Sequence, residues 1–189
     1  NEQSEKPEIN ENQIKSVIEL LQNAKRPIII SGQGVRIAGA IELLTKLVKL
    51  FKIPVITPYL GIDTIRHDEE SYSGKIGVKG ERAGNLAMQN SYLILSIGSS
   101  LHVSVIGYNY KQFARGAKKI IIAIQETHQL SMHLGVVNNL IFSVDIIFAA
   151  SDLEKKTLDQ LQPNAKIYSI GWLFQDGYKE FISALYQPS

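Results

Sequence analysis

The stretch Arg26 to Ala40, RPIIISGQGVRIAGA, constrains the fold more than any other part of the chain. Pro27 to Ser31 is a short, nearly continuous apolar run, the pattern of a strand buried on both faces. Gly32, Gln33 and Gly34 follow at once. From about Ala38 to Phe51, apolar residues fall at Ile41, Leu44, Leu47, Val48 and Phe51, which is helical spacing. Strand, glycine turn and helix make the opening unit of a doubly wound α/β domain. In such domains the turn at the carboxyl end of the strand is where a phosphate can meet backbone N–H groups and a helix N-terminus. The same glycines are equally compatible with a turn that is merely tight.

A chain of 189 residues can hold one domain with extensions and bury a full-sized core. Hydrophobic content of 44% and charged content of 20% are those of an ordinary globular protein. The net charge is +2 and no long basic run occurs, which speaks against a nucleic-acid partner. No apolar stretch reaches the roughly 18 residues of a membrane-spanning helix. Cysteine is absent, which excludes disulfides and thiolate chemistry and leaves the compartment open. The α/β pattern points to a cytoplasmic protein, and no secretory signal pattern is read. The chain opens on NEQSEKPEINENQ, without Met, and residues 1–9 read as a polar linker. A piece of a longer protein is therefore expected.

Further along, Asn10 or Asn12 can cap a helix with apolar positions Ile14, Val17, Ile18 and Leu21. Ile53 to Thr57 reads as a second strand, with Pro54 near its start. Residues 58–80 are loop-like, with a short third strand expected around Lys75 to Val78. Glu81 to Asn90 reads as a helix whose small residues Ala83, Gly84 and Ala87 allow close packing. Strands follow at Tyr92 to Ile97, Lys119 to Ile124 and Leu140 to Val144. Ile146 to Ala150 reads equally as strand or as helix start. Ser151 and Glu154 frame a capping-box pattern for a helix that Pro163 ends. Beyond it lie a candidate strand, Lys166 to Ile170, and a candidate helix, Asp176 to Tyr186. The expected organisation is a linker over 1–9, a Rossmann-like domain over 10–162 and an extension over 163–189. Its sheet is parallel, doubly wound and of about six strands.

Several motifs stop short of a known chemistry. The dinucleotide fingerprint G-x-G-x-x-G is met at Gly32 and Gly34, but its third position is Ile37. No acid ends the second strand, where a ribose partner belongs; Val55, Ile56 and Thr57 stand there. Gly98-Ser99-Ser100-Leu101-His102 lacks the closing glycine of a nucleophile elbow and reads as a strand-end turn. His128 and His133 are five apart, off a shared helix face, and no acid completes a zinc set with His67 or His102. Arg36, Lys79, Arg82 and Lys118 lie near expected strand ends or helix starts and are candidates for phosphate contact, Arg36 foremost. Solvated faces or ion pairs are the ordinary fate of such residues.

Four segments in this order resemble the central domain of thiamine-diphosphate-dependent enzymes: RPIIISGQGVRIAGA, IPVITPYLGIDTI, SGKIGVKGERAGNLAMQNSYLILSIGSSL and AKKIIIAI. The nearest likeness is to the acetolactate synthase family. It runs from about Asn12 to Leu161 and rests on Gly32 and Gly34, Thr57 and Gly61, Gly77 and Gly80, Arg82, Asn85, Gln89 and Asn90, and Gly98. The resemblance implies a parallel sheet with helices on both faces, placed between a pyrimidine-binding and a diphosphate-binding domain. Those partners would bind thiamine diphosphate and magnesium in the full-length enzyme, which would be a homo-oligomer. This segment carries neither the Gly-Asp-Gly motif nor the activating glutamate's domain, so no catalytic residue is expected in it.

In this family the central domain holds FAD, ADP or nothing. A cleft of that kind would be lined by Gly32, Gln33, Gly34 and Arg36 after the first strand, and by Thr57 and Gly61 after the second. Gly77, Lys79 and Gly80 would follow in the next loop, and Gly98 and Ser99 after the strand that ends at Ile97. This sequence departs from the flavin-binding pattern. Where that pattern reads Gly-Ser-Arg-Phe-Asp-Asp-Arg, the chain reads Gly98-Ser99-Ser100-Leu101-His102-Val103-Ser104. The usual Ile-Asp-Ile-Asp becomes Ile122-Ala123-Ile124-Gln125, and the Met-His-Gly turn becomes Val78-Lys79-Gly80. A vestigial cleft in a largely structural domain is the expectation. The alternative is a stand-alone nucleotide- or flavin-binding module. A sirtuin-like deacylase is set aside, because it needs four zinc-binding cysteines.

Overall fold

The computed structural model describes residues 11–99, 101–122, 146–149, 166–169 and 181–185. Seven strands appear among them: β1 (Pro27–Ser31), β2 (Val55–Thr57), β3 (Tyr72–Lys75), β4 (Leu93–Ile97), β5 (Lys118–Ile122), β6 (Ile146–Ala149) and β7 (Lys166–Ser169). They form one sheet in the order β3-β2-β1-β4-β5-β6-β7. Every pairing is parallel, with β1 against β4 in register from Pro27 opposite Leu93 to Ser31 opposite Ile97. The first strand thus lies inside the sheet, the chain steps outward through β2 to β3, and it returns to the other side of β1 at β4.

The period-2 alternation of each strand sorts its side chains between two cores. On one face Ile29, Val55, Leu95, Ile97 and Ile120 pack with α1 (Glu11–Asn23) through Ile14, Val17 and Leu21. Leu44, Leu47 and Val48 of α3 (Ile41–Phe51) join the same core. On the other face Ile28, Ile30, Ile56, Ile94 and Ile121 pack with Met88 of α4 (Arg82–Gln89), with Val105 and Ile106 of α5 (Val103–Ile106), and with Phe113. Two helical layers around a parallel sheet make the doubly wound α/β architecture read from the sequence. Residues 181–185 are helical, and Phe181, Ile182 and Leu185 are buried in the α1–α3 core.

Four boundaries differ from the sequence reading. The helix after β1 starts at once as α2 (Gln33–Ile37), so Gln33 and Gly34 are helical rather than loop. Gly39, at φ 63°, then breaks the path, and α3 begins afresh at Ile41. The third strand lies at Tyr72–Lys75 and not at 75–78, because Gly77 turns the chain at φ 97° and Val78 hangs into solvent. Ile146–Ala149, ambiguous in sequence, is strand β6, and Lys166–Ser169 pairs with it as β7. Among the described residues the sheet has seven strands, against about six expected. The strand expected at 140–144, the helix from Ser151, and the His128 and His133 positions lie outside the described residues.

Candidate functional site: the crevice at the strand-order reversal

β1 connects to β2 on one side and β4 to β5 on the other, so the direction of the connections reverses between β1 and β4, and in sheets of this kind the ligand crevice lies outside the carboxyl ends of those two strands. The glycines singled out in the sequence meet there. Gly32 follows β1 and Gly98 follows β4. The Gly32 N–H donates to the Ile97 carbonyl at 2.9 Å, and the Gly34 N–H donates to the Gly98 carbonyl at 3.0 Å. A Cβ on Gly32 would stand 2.2 Å from the Gly98 oxygen. Gly98 itself is at φ 64°, with a Cβ position 2.7 Å from the Val35 nitrogen. Gly61 closes the third side, where a Cβ would meet the Ser31 oxygen at 2.4 Å. These glycines let backbone approach backbone, and the two N–H groups of Gly32 and Gly34 are already donated within the protein.

A buried hydroxyl group of residues underlies this contact. Ser31 Oγ donates to Thr64 Oγ1 at 2.6 Å, and Thr64 Oγ1 donates to the Gly61 carbonyl at 2.8 Å. Thr57 ends β2 one residue beyond the Ile30–Ile56 pair, beside Ser31, and is fully buried. Its hydroxyl meets no hydrogen-bond partner among the described residues. Ser99 is buried too, and its Oγ accepts from the Leu101 N–H at 3.3 Å. The serine of this strand-end turn thus meets one backbone donor, the Leu101 N–H.

The cations are less available than the sequence suggests. Arg36, in the last turn of α2, is ion-paired with Asp63, which accepts from its Nη1. That hydrogen bond holds the Asp63 carboxyl below its ordinary range. Asp63 was not singled out in the sequence; it lies 27 residues from Arg36, and no local spacing announces the pair. Lys79 lies over the Tyr59 ring, 5.4 Å from its centroid. Lys118 starts β5 and so sits at the opposite, amino-terminal edge of the sheet, away from this crevice. Arg82 is the first residue of α4 and exposed.

Gly77 and Gly80 build the turn after β3, where the Gly80 N–H donates to the Gly77 carbonyl at 2.9 Å. Asn85 on α4 accepts from the Gly77 N–H at 2.9 Å and donates to the Gly77 carbonyl at 3.2 Å, which pins the turn from both sides. The Val78 N–H donates to the Ser104 carbonyl at 2.8 Å, and a Gly77 Cβ would stand 2.4 Å from that same oxygen. Gln89 accepts from the Ala114 N–H at 3.1 Å. Gly84 brings α4 onto β3, since its Cβ would lie 2.3 Å from the Lys75 oxygen. The Gly77, Gly80, Asn85 and Gln89 pattern thus has a complete structural reading in the attachment of α4 and the 113–117 turn.

The stretch of sequence that builds β1 to β5 is matched by a known family model. The model of the thiamine pyrophosphate enzyme central domain covers residues 14–145. The chain belongs to this family. Among its relatives, a probable acetolactate synthase large subunit of Methanococcus aeolicus is 35% identical over 149 residues, 79% of this chain and 24% of that protein. The glyoxylate carboligase of Escherichia coli O157:H7 is 31% identical over 138 residues, 71% of this chain and 23% of that enzyme. The acetolactate synthase large subunit of Lactococcus lactis is 27% identical over 119 residues. The chain spans about a quarter of the length of the first two relatives. As a member of the central-domain family, it carries a parallel α/β sheet and a glycine-built reversal point, and no described helix is long and apolar enough to cross a membrane.

Proposed function

We propose that the chain is the central, mainly structural domain of a thiamine-diphosphate-dependent carboligase or decarboxylase, and that it contributes no catalytic residue. The observation that carries this reading is the family match over 14–145, where the aligned stretch is about a quarter of its relatives' length. In the full-length enzyme, thiamine diphosphate and magnesium belong to flanking pyrimidine and diphosphate domains, within a cytoplasmic homo-oligomer. The residues present here do not fit that cofactor pair. No Gly-Asp-Gly occurs in the sequence, and no group of three or more His, Asp or Glu side chains could hold a metal ion among the described residues. The proposed organisation is a linker over 1–9, a domain over 10–162 and an extension over 163–189, of which Lys166–Ser169 pairs with β6 and Phe181, Ile182 and Leu185 join the core.

The crevice lined by Gly32, Gln33, Gly34, Arg36, Thr57, Gly61, Gly77, Lys79, Gly80, Gly98 and Ser99 is the vestige of a nucleotide cleft. These residues do not fit the diphosphate of FAD or ADP. The Gly32 and Gly34 N–H groups are committed to Ile97 and Gly98, Arg36 is committed to Asp63, and Lys79 is a point charge without a bidentate fork. Calorimetric titration of the 189-residue chain with thiamine diphosphate and Mg²⁺ tests the structural role. No saturable heat is expected, and saturation in the micromolar range would show that the chain holds a cofactor site of its own.

A further inference from the structure

Of the cations that the sequence offers to a diphosphate, Arg36 is held by an acid and Lys79 lies over an aromatic ring. The acid is Asp63, two residues beyond Gly61 in the loop after β2. Gly61 fixes where that loop runs, because its backbone lies against Ser31 and Gly32 with no room for a Cβ. Thr64 ties the loop down from the other side through Ser31 and the Gly61 carbonyl. Asp63 is thus anchored on both flanks beside the crevice, and its side chain meets the guanidinium that leaves α2 four residues after Gly32.

We propose that Asp63 is the residue that closes this crevice to diphosphate-bearing ligands, by occupying the Arg36 guanidinium that such a ligand would require. The inference rests on the reading above that the cleft is vestigial, and it names the group that makes it so. A carboxylate offers Arg the same charge-assisted, two-oxygen acceptor that a phosphate offers. Being tethered in the same chain, it competes at an effective concentration that a dilute ligand does not reach. The pair is also neutral, so Arg36 adds no net charge to draw an anion to the crevice. Both side chains are about half exposed, at 44% and 49%. An exposed pair of this kind adds little to stability, so replacing Asp63 by its neutral isostere leaves the fold in place.

The test compares the unaltered chain, Asp63→Asn, and the double variant Asp63→Asn with Arg36→Gln, each titrated at low salt with ADP and with inorganic pyrophosphate. Circular dichroism checks that all three are folded. Asp63→Asn is expected to bind both probes up to about fivefold more tightly than the unaltered chain, the most that release of an exposed ion pair returns. The gain is expected to vanish in the double variant and to weaken with added salt. Equal binding of ADP and pyrophosphate by Asp63→Asn would locate recognition in the diphosphate. An Asp63→Asn chain that binds no better than the unaltered one overturns the inference and leaves the vestigial cleft standing. So does a gain that survives loss of Arg36. Micromolar binding of ADP by the unaltered chain overturns both.

Discussion

Gly32→Ala is expected to lower the unfolding free energy by about 3 kcal/mol or more, an effect at the upper end of overpacking. The new methyl would stand 2.2 Å from the Gly98 oxygen, 2.5 Å from the Gly98 carbonyl carbon and 2.5 Å from Ser99 Cα. All three are backbone atoms, so no side-chain rotation relieves the clash. Either β1 and β4 separate at their carboxyl ends, or the Gly32–Ile97 and Gly34–Gly98 hydrogen bonds break. Both responses damage the centre of the sheet. Urea unfolding reads the result as a fall in midpoint of about 1 M or more, for the usual slopes of domains this size. Gly116→Ala is the control: a Cβ there meets nothing within 4 Å, and its effect is expected to stay within about 0.5 kcal/mol. If the two variants unfold alike, the contact across the reversal point is not as close as described.

Phe181→Ala is expected to cost about 3–5 kcal/mol, the range for deleting a fully buried ring. Phe181 has no exposed surface and belongs to the same core as Leu44, Leu47 and Ile97. Ile182 and Leu185 enter that core beside it, so the C-terminal turn covers sheet that would otherwise face water. A loss below about 1 kcal/mol by the same urea measurement would mean that this turn does not pack on the α1–α3 face, and that the domain is complete without it.

What the sequence disclosed follows from where each constraint is local. β1 and β4 are legible because strands buried on both faces must be apolar at every position, and PIIIS and LILSI nearly are. The glycines at 32, 61 and 98 are legible as special for the same kind of reason, since close backbone approach tolerates nothing else. Their purpose is not legible. A glycine that admits a phosphate and a glycine that admits a neighbouring strand look alike until the partner is known. The break between α2 and α3 depends on Gly39 taking a positive φ in a stretch whose apolar spacing continues across it. The displacement of β3 depends on Asn85, eight residues past Gly77, reaching back to clamp it.

Long-range pairs were the least visible. Arg36 and Asp63 come together only because β2 lies beside β1 and the loop after it folds over Ser31. Read along the chain, Arg36 is a free cation at a strand end; read in the fold, it is half of an ion pair. The same holds for Phe181, whose helical period was legible while its burial against α3 was not.

The proposal that the crevice admits no dinucleotide is tested most directly by flavin. The visible spectrum of freshly purified chain, followed by titration with FAD, measures whether the glycine-built reversal point holds a dinucleotide. A colourless protein with no saturable binding in the micromolar range is the expected result. A yellow protein carrying near-stoichiometric FAD would contradict it, and would mean that the backbone contacts of Gly32, Gly34 and Gly98 open to admit the ligand.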